Sequence, residues 1–422
     1  MKEEIKRINE KTYVHVFNTN KFKSNVIAAF LLADLNKENV TKNALISAVL
    51  RRGTDNLKTM KDISMKMDDM YGALFDSSID KIGDKQALQI YMSTIANEYA
   101  LNGEDIFSES LDFLYDVIYN PKLVQGAFDP EYVLQEKETL RELIRGKINN
   151  KGAYATLRCV EEMFGDLPYA LFKYGNEEDL DKIDANNLYQ QYKKLLETSE
   201  KHFYISGNVD IEKLKNFFEE KFEKADISDN SNIVRTKKDD IKVQDVKNVF
   251  EHMDVTQGKL VLGYDVDVDL SAESFYKMLV YNAILGSSSN SKLFQNVREK
   301  ASLAYTTRST YIKHKGVLLV TAGIELDKHD KALELIEIQV DDMKKGNFTD
   351  EDLKDAKVFL ENLFTSCLDD QTTMIELSIG QFIAGIPDDV EQMVEKIKNV
   401  SRDDVVEVAN KLTLVTNYYL AK

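Results

Sequence analysis

The chain has 422 residues, a net charge of −17 from 72 acids and 55 bases, 43% hydrophobic residues, 4 prolines and 2 cysteines. A single hydrophobic core stops growing at about 250 to 300 residues, so this length predicts two domains, and the apolar content excludes a disordered chain. The acidic surplus excludes nucleic acid and anionic membrane surface as partners, because both are held by clustered Lys and Arg.

The chain opens with MKEEIKRINEKTYVHVFN, which mixes acids among its bases, and the apolar run at 26–32 is too short and too far in for a signal segment. No run approaches the ~18 apolar residues of a spanning helix, so the expected compartment is the cytoplasm. There Cys159 and Cys367 stay reduced and are expected to be buried apolar fillers. The next segment, NALISAVLRRGTDN (43–56), reads as a helix closed by an Arg52-Gly53-Thr54 turn. GALFDSSIDK (72–81) and KQALQIYMSTI (85–95) then alternate as two strands about a short turn. GAFDPEYVLQEKETLREL (126–143) is a tight loop, an N-cap at Asp129 and a long helix. KIDANNLYQQYKKLL (182–196), capped by Asp184, leads into the strand text HFYISG.

After 226–240, which is polar and aperiodic and reads as a linker, the same text returns. AYTTRSTYIK and KGVLLVTAGI (304–313 and 315–324) repeat the strand pair. GNFTDEDLKDAKVFLENL (346–363), capped by Thr349, repeats 126–143 at a spacing of 220 residues. NVSRDDVVEVANKLT (399–413), capped by Ser401, repeats the helix at Asp184 at a spacing of 217, and TNYYLA follows as its strand. A period this long excludes a solenoid and predicts a duplicated α+β domain, each copy an antiparallel or mixed sheet covered by helices. The copies are placed at 1–225 and 241–422, on either side of the linker.

Duplicated halves with these motifs resemble the pitrilysin/insulinase (inverzincin) family of zinc peptidases. In that family the first helix carries His-x-x-Glu-His, two zinc ligands and a general base on one face. Here the turn at Arg52-Gly53-Thr54 sets the register, and the three positions hold Ala44, Ser47 and Ala48. The family's third ligand falls on the helix VLQEKETLREL, at Leu134 or at Glu136. The 5 histidines, His15, His202, His252, His314 and His329, stand at no i, i+3 or i, i+4 spacing, so no metal site is expected on this chain. No Gly-x-Ser-x-Gly elbow or phosphate-binding Walker loop is present either.

The second half keeps more of the family's text. LGSSSNSKLFQNVREKASLAYTTRSTY (285–311) is similar to Ser-Arg-Leu-Phe-x-x-Val-Arg-Glu-Lys-x-x-Leu-Ala-Tyr, with Lys292 at the first Arg. The resemblance assigns Arg298 and Tyr305 the family's paired roles: a guanidinium fork on substrate backbone and a phenol donor to the oxygen on which charge develops. Leu293, Phe294 and Val297 fall at helical spacing and read as core, and Arg298 has Glu299 beside it as an ordinary ion-pair partner. The strand at 86–95 is expected to be either an edge that accepts a peptide or a core strand. The resemblance implies a non-catalytic subunit like that of mitochondrial processing peptidase-type heterodimers, binding peptide and working with a zinc-bearing paralogous chain, or pairing with its own copy when alone. The second reading is an inactive binding or assembly protein of the same fold with no peptidase role.

Overall fold

The computed structural model describes residues 2–222, 238–239, 241 and 245–422, so most of the linker at 226–240 lies outside the described residues. The alternating segments become strands: β1 (Glu4–Asn9), β2 (Thr12–Asn18), β3 (Ser24–Asp34), β4 (Leu74–Ile82), β5 (Lys85–Ile95), a two-residue pair β6 (Leu123–Val124) and β7 (Ala127–Phe128), and β8 (Glu200–Gly207). The second half supplies β9 (Lys247–His252), β10 (Gly258–Val266), β11 (Ala304–Ile312), β12 (Val317–Ile324) and β13 (Leu412–Ala421).

Two sheets form, ordered β1-β2-β8-β3-β5-β4 and β11-β12-β10-β13-β9. Apart from β1 they follow one plan. β2 runs parallel to β8, and β8, β3, β5 and β4 then pair antiparallel in turn. In the second sheet β9 runs parallel to β13, and β13, β10, β12 and β11 continue antiparallel in the same order. Identical strand order and direction bear out the duplicated α+β domain.

The helices repeat as well. The first set is α1 (Val40–Leu50), α2 (Met60–Asp69), α3 (Ile106–Tyr119), α4 (Pro130–Gly146), α5 (Lys151–Phe164), α6 (Glu177–Asp181), α7 (Ala185–Thr198) and α8 (Ile211–Lys221). The second is α9 (Ala272–Asn282), α10 (His329–Lys344), α11 (Asp350–Cys367), α12 (Gln371–Ala384), α13 (Val390–Asn399) and α14 (Arg402–Ala409). Their starts lie where the cap residues predict. Asp184, Thr349 and Ser401 each close a reciprocal capping box, and the Asp129 carboxylate accepts from the Glu131 amide at 3.0 Å. Each such cap contributes about 1 kcal/mol by satisfying amides that the first helical turn leaves without partners.

One core packs β3 and β5 against α1, α3 and α7 through Ile27, Leu31, Leu45, Leu88, Phe107 and Leu188. Another packs β10 and β12 against α9 and α10 through Leu260, Leu262, Tyr281, Val320 and Ile336. Compact units do not follow the chain as two unbroken runs. Residues 2–145, 171–222 and 371–376 form one unit, while 146–170, 245–370 and 377–422 form the other. The segment carrying α5 therefore belongs with the second sheet although it precedes the linker. Ala155 and Cys159 of α5 pack on Val261, Tyr418 and Leu420, and burial pushes the Cys159 thiol up to about 12. Cys159 is the buried filler expected of it, but Cys367 is only half-buried and donates to the Leu363 carbonyl at 3.3 Å.

β5, which holds the residues offered as either an edge or a core strand, is hydrogen-bonded to β3 on one side and β4 on the other, so it cannot take up a peptide. The open edge beside it is β4. Among the described residues no helix is long and apolar enough to cross a membrane.

Candidate functional site

α1 is a well-formed helix whose metal-binding positions hold no ligand side chains. Ala44 is 2% exposed and Ser47 5%, and the Ser47 hydroxyl is turned back onto the Ala44 carbonyl at 2.8 Å. Two methyl groups and a hydroxyl already bonded to its own helix do not fit a zinc ion, which takes imidazole, carboxylate or thiolate. Among the described residues no three His, Cys, Asp or Glu side chains are grouped to hold a metal. The helix ends in the expected turn. A Cβ on Gly53 would stand 2.8 Å from the Lys58 carbonyl oxygen, so only glycine lets the chain fold back this tightly.

On α4 the two candidates for the third ligand face opposite ways. Leu134 is 61% exposed and Glu136 is 6% exposed. Glu136 lies 3.3 Å from the guanidinium of Arg52, the residue that follows α1's C-cap. That guanidinium also meets the Gln135 amide oxygen and lies over the Tyr132 ring at 4.8 Å. A buried carboxylate needs a cation, and here an arginine of the chain supplies it.

The Arg298 and Tyr305 segment is built differently from an ordinary helix. Residues Ala283–Ser287 and Phe294–Lys300 wind as wide π turns, a form that recurs at functional sites because it displaces one side chain from the regular register. Leu293 and Val297 are fully buried, as their spacing predicts, but Phe294 is half-exposed and carries the Arg298 guanidinium over its ring at 4.7 Å. The Arg298 side chain is 44% exposed and lies 3.6 Å from Glu299. Ser302, at φ +51°, then turns the chain into β11. Ala304 pairs with Ile324 and Thr306 with Gly323, leaving Tyr305 as the extra residue of a β-bulge. Bulges re-aim a side chain at the end of a strand. Tyr305 is 56% exposed, and its phenol makes no hydrogen bond to the described residues.

Residues 182–359 match the model of the family described as "Peptidase M16 inactive domain". A probable inactive metalloprotease, YmfF, of Bacillus subtilis is 31% identical over 406 residues, covering 96% of this chain and 95% of its own. The chain belongs to the M16 peptidase family. A conserved protein of Enterococcus faecalis shares the fold at a TM-score of 0.90 with 24% identity, over 100% of this chain and 99% of that one. The M16 inactive domain of Pseudomonas fluorescens does so at 0.79 with 14% identity, over 100% and 98%. Family membership and the residues at α1 agree: this M16 chain lacks a zinc site of the family's kind among its described residues.

This M16 chain also joins groups that no sequence spacing suggests. His15 on β2 and His202 on β8 are fully buried and share a hydrogen bond of 2.9 Å between Nε2 and Nδ1. Glu3 lies 2.7 Å from the outer nitrogen of His15, and Glu200 lies 2.8 Å from that of His202. The Tyr204 and Tyr13 rings stack on His15 and His202. Burial holds His202 down at about 4, against the pull of Glu200. The residues are 187 apart in the chain, and only the parallel pairing of β2 with β8 brings them together.

Proposed function

We propose that this chain is the non-catalytic member of a two-chain M16 peptidase. It binds an extended peptide and presents Arg298 and Tyr305 to the reacting carbonyl at a zinc site carried on a paralogous chain. One observation carries the reading. The metal helix is preserved as a scaffold without its ligands, while the Arg298 and Tyr305 segment keeps both its residues and a backbone that holds the phenol out with no partner among the described residues. A guanidinium gives a rigid planar fork to a peptide backbone, and a phenol gives a short O–H donor to an oxyanion. Both would act in trans, within the same compartment as the partner, which we place in the cytoplasm.

The test is a mixture of this chain with its zinc-bearing paralogue, assayed as kcat/KM on an unfolded peptide. The expected result is a gain in activity that Arg298→Ala or Tyr305→Phe largely removes. Losing one preorganised oxyanion donor typically costs about 10² to 10³ in kcat. Elution volume and the partner's zinc content should stay unchanged. If both variants match the wild type within about twofold, roughly 0.4 kcal/mol, the two residues are surface groups and the inactive binding or assembly role replaces this one.

A further inference from the structure

The second sheet carries a pocket that the Arg298 and Tyr305 reading does not use. Antiparallel pairing places Lys259, Gly323 and Thr306 on one rung of β10-β12-β11 and Val261, Thr321 and Arg308 on the next. Alternation along each strand turns these side chains to one face. α5 covers that face over Val261 and β13, and its first turn forms one wall of a cavity of about 350 Å³ over β11 and β12.

The floor of this cavity is open because residue 323 is glycine. A Cβ there would stand 3.0 Å from the Thr306 hydroxyl, 3.1 Å from the Gln257 amide oxygen and 3.4 Å from the Lys259 ammonium. Three polar groups thus converge on the space a side chain would fill. Among the described residues no Asp or Glu lines the cavity. The Lys259 ammonium donates to Gln257 at 2.7 Å, and burial holds it below the ordinary lysine range with no carboxylate to offset the cost. Arg308 likewise has no ion pair among the described residues. In a chain with 72 acids and 55 bases, two cations facing one pocket without an acid are out of keeping with the rest of the surface. Together they leave a positive charge that a ligand would neutralise. The Thr306 and Thr321 hydroxyls add donors, and the amide end of α5 adds a partial positive charge on the wall.

We infer that this cavity binds the oxyanion group, phosphate or carboxylate, of a small ligand, held by Lys259, Arg308, Thr306 and Thr321. The volume suits a small molecule rather than a folded partner, since ligand sites run from about 300 to 1,000 Å³. Val261 gives the non-ionic part of such a ligand an apolar floor.

Isothermal calorimetry of the full chain with inorganic phosphate, with acetate and with sodium chloride at matched ionic strength tests this. The expected result is saturable binding of phosphate or acetate with a Kd on the order of millimolar, the range for so small a probe, and none of chloride. The tighter of the two oxyanions identifies the ligand's group. Lys259→Met and Arg308→Ala should each weaken binding about tenfold or more, and Thr321→Val several-fold. Lys259→Met removes a charge whose burial is unfavourable, so it should fold, and an unchanged circular dichroism spectrum checks that. Arg298→Ala should bind the probe as the wild type does, which separates this site from the proposed peptidase role. Binding that chloride reproduces, binding that both cation variants retain, or no saturable binding at all would each overturn the inference.

Discussion

Arg52→Ala should destabilise the first unit strongly, and the double variant Arg52→Ala/Glu136→Leu should recover most of the loss. Glu136 is 6% exposed, and its Oε2 has no hydrogen-bond partner, so the guanidinium 3.3 Å from Oε1 is what offsets its desolvation. Removing one member of a buried pair costs about 3 to 5 kcal/mol, because the other charge stays buried and unpaired. The lower end applies here, since the Arg52 side chain is 18% exposed and water can approach it. A loss of about 3 kcal/mol in a unit of this size corresponds to a Tm drop of roughly 6 to 12 °C. Replacing Glu136 by leucine removes the stranded charge, and well-packed apolar replacements of buried pairs are often neutral or stabilising. The double variant should therefore lie within about 1 kcal/mol of the wild type. The assay is urea unfolding followed by circular dichroism, with calorimetry to separate the transitions of the two units, which need not unfold together. If Arg52→Ala costs less than about 1 kcal/mol, or if Glu136→Leu fails to rescue it, Glu136 is not a stranded carboxylate held by Arg52 and the reasoning is wrong.

Other outcomes follow from the same structure. Elemental analysis of the purified chain should find no stoichiometric zinc, and one tightly held zinc per chain would contradict the reading of α1. Native alkylation followed by mass spectrometry should label Cys367 and spare Cys159, whose thiol is buried and pushed up to about 12; equal labelling would contradict the packing of α5. Burial, with Lys313 and Lys315 beside it, holds His314 down at about 3. The unfolded chain, with an ordinary histidine near 6.5, takes up this proton first, so the contribution of neutral His314 is whole above pH 6.5 and is lost as pH falls toward 3. The loss should reach about 2 kcal/mol by pH 5, and His314→Phe should remove that slope from urea unfolding measured between pH 7 and 5. A variant with the same slope as the wild type would show that His314 does not titrate in this way.

Much of the fold is legible in the sequence because its signals are local. Asp184, Thr349 and Ser401 announce helix starts through hydrogen bonds to amides two or three residues away, and repeats at spacings of 220 and 217 announce the duplication. The absence of a metal site at Ala44, Ser47 and Ala48 needs only residue identity and helical spacing. What the tertiary structure decided is which segment lies beside which. Alternation in β5 describes its two faces but says nothing of its two edges, so a strand paired on both sides reads the same as an open one. The periodicity of α5 gives it an apolar face without naming the sheet that face will cover, and it covers the second. Glu136 rather than Leu134 turns inward because α4 packs in one rotation against the end of α1. His15 meets His202, and Lys259 and Thr306 come to flank Gly323, only after distant strands have paired. Strand partners are chosen by backbone hydrogen bonds and shared burial between segments far apart in the chain, and neither leaves a periodic mark within a single segment.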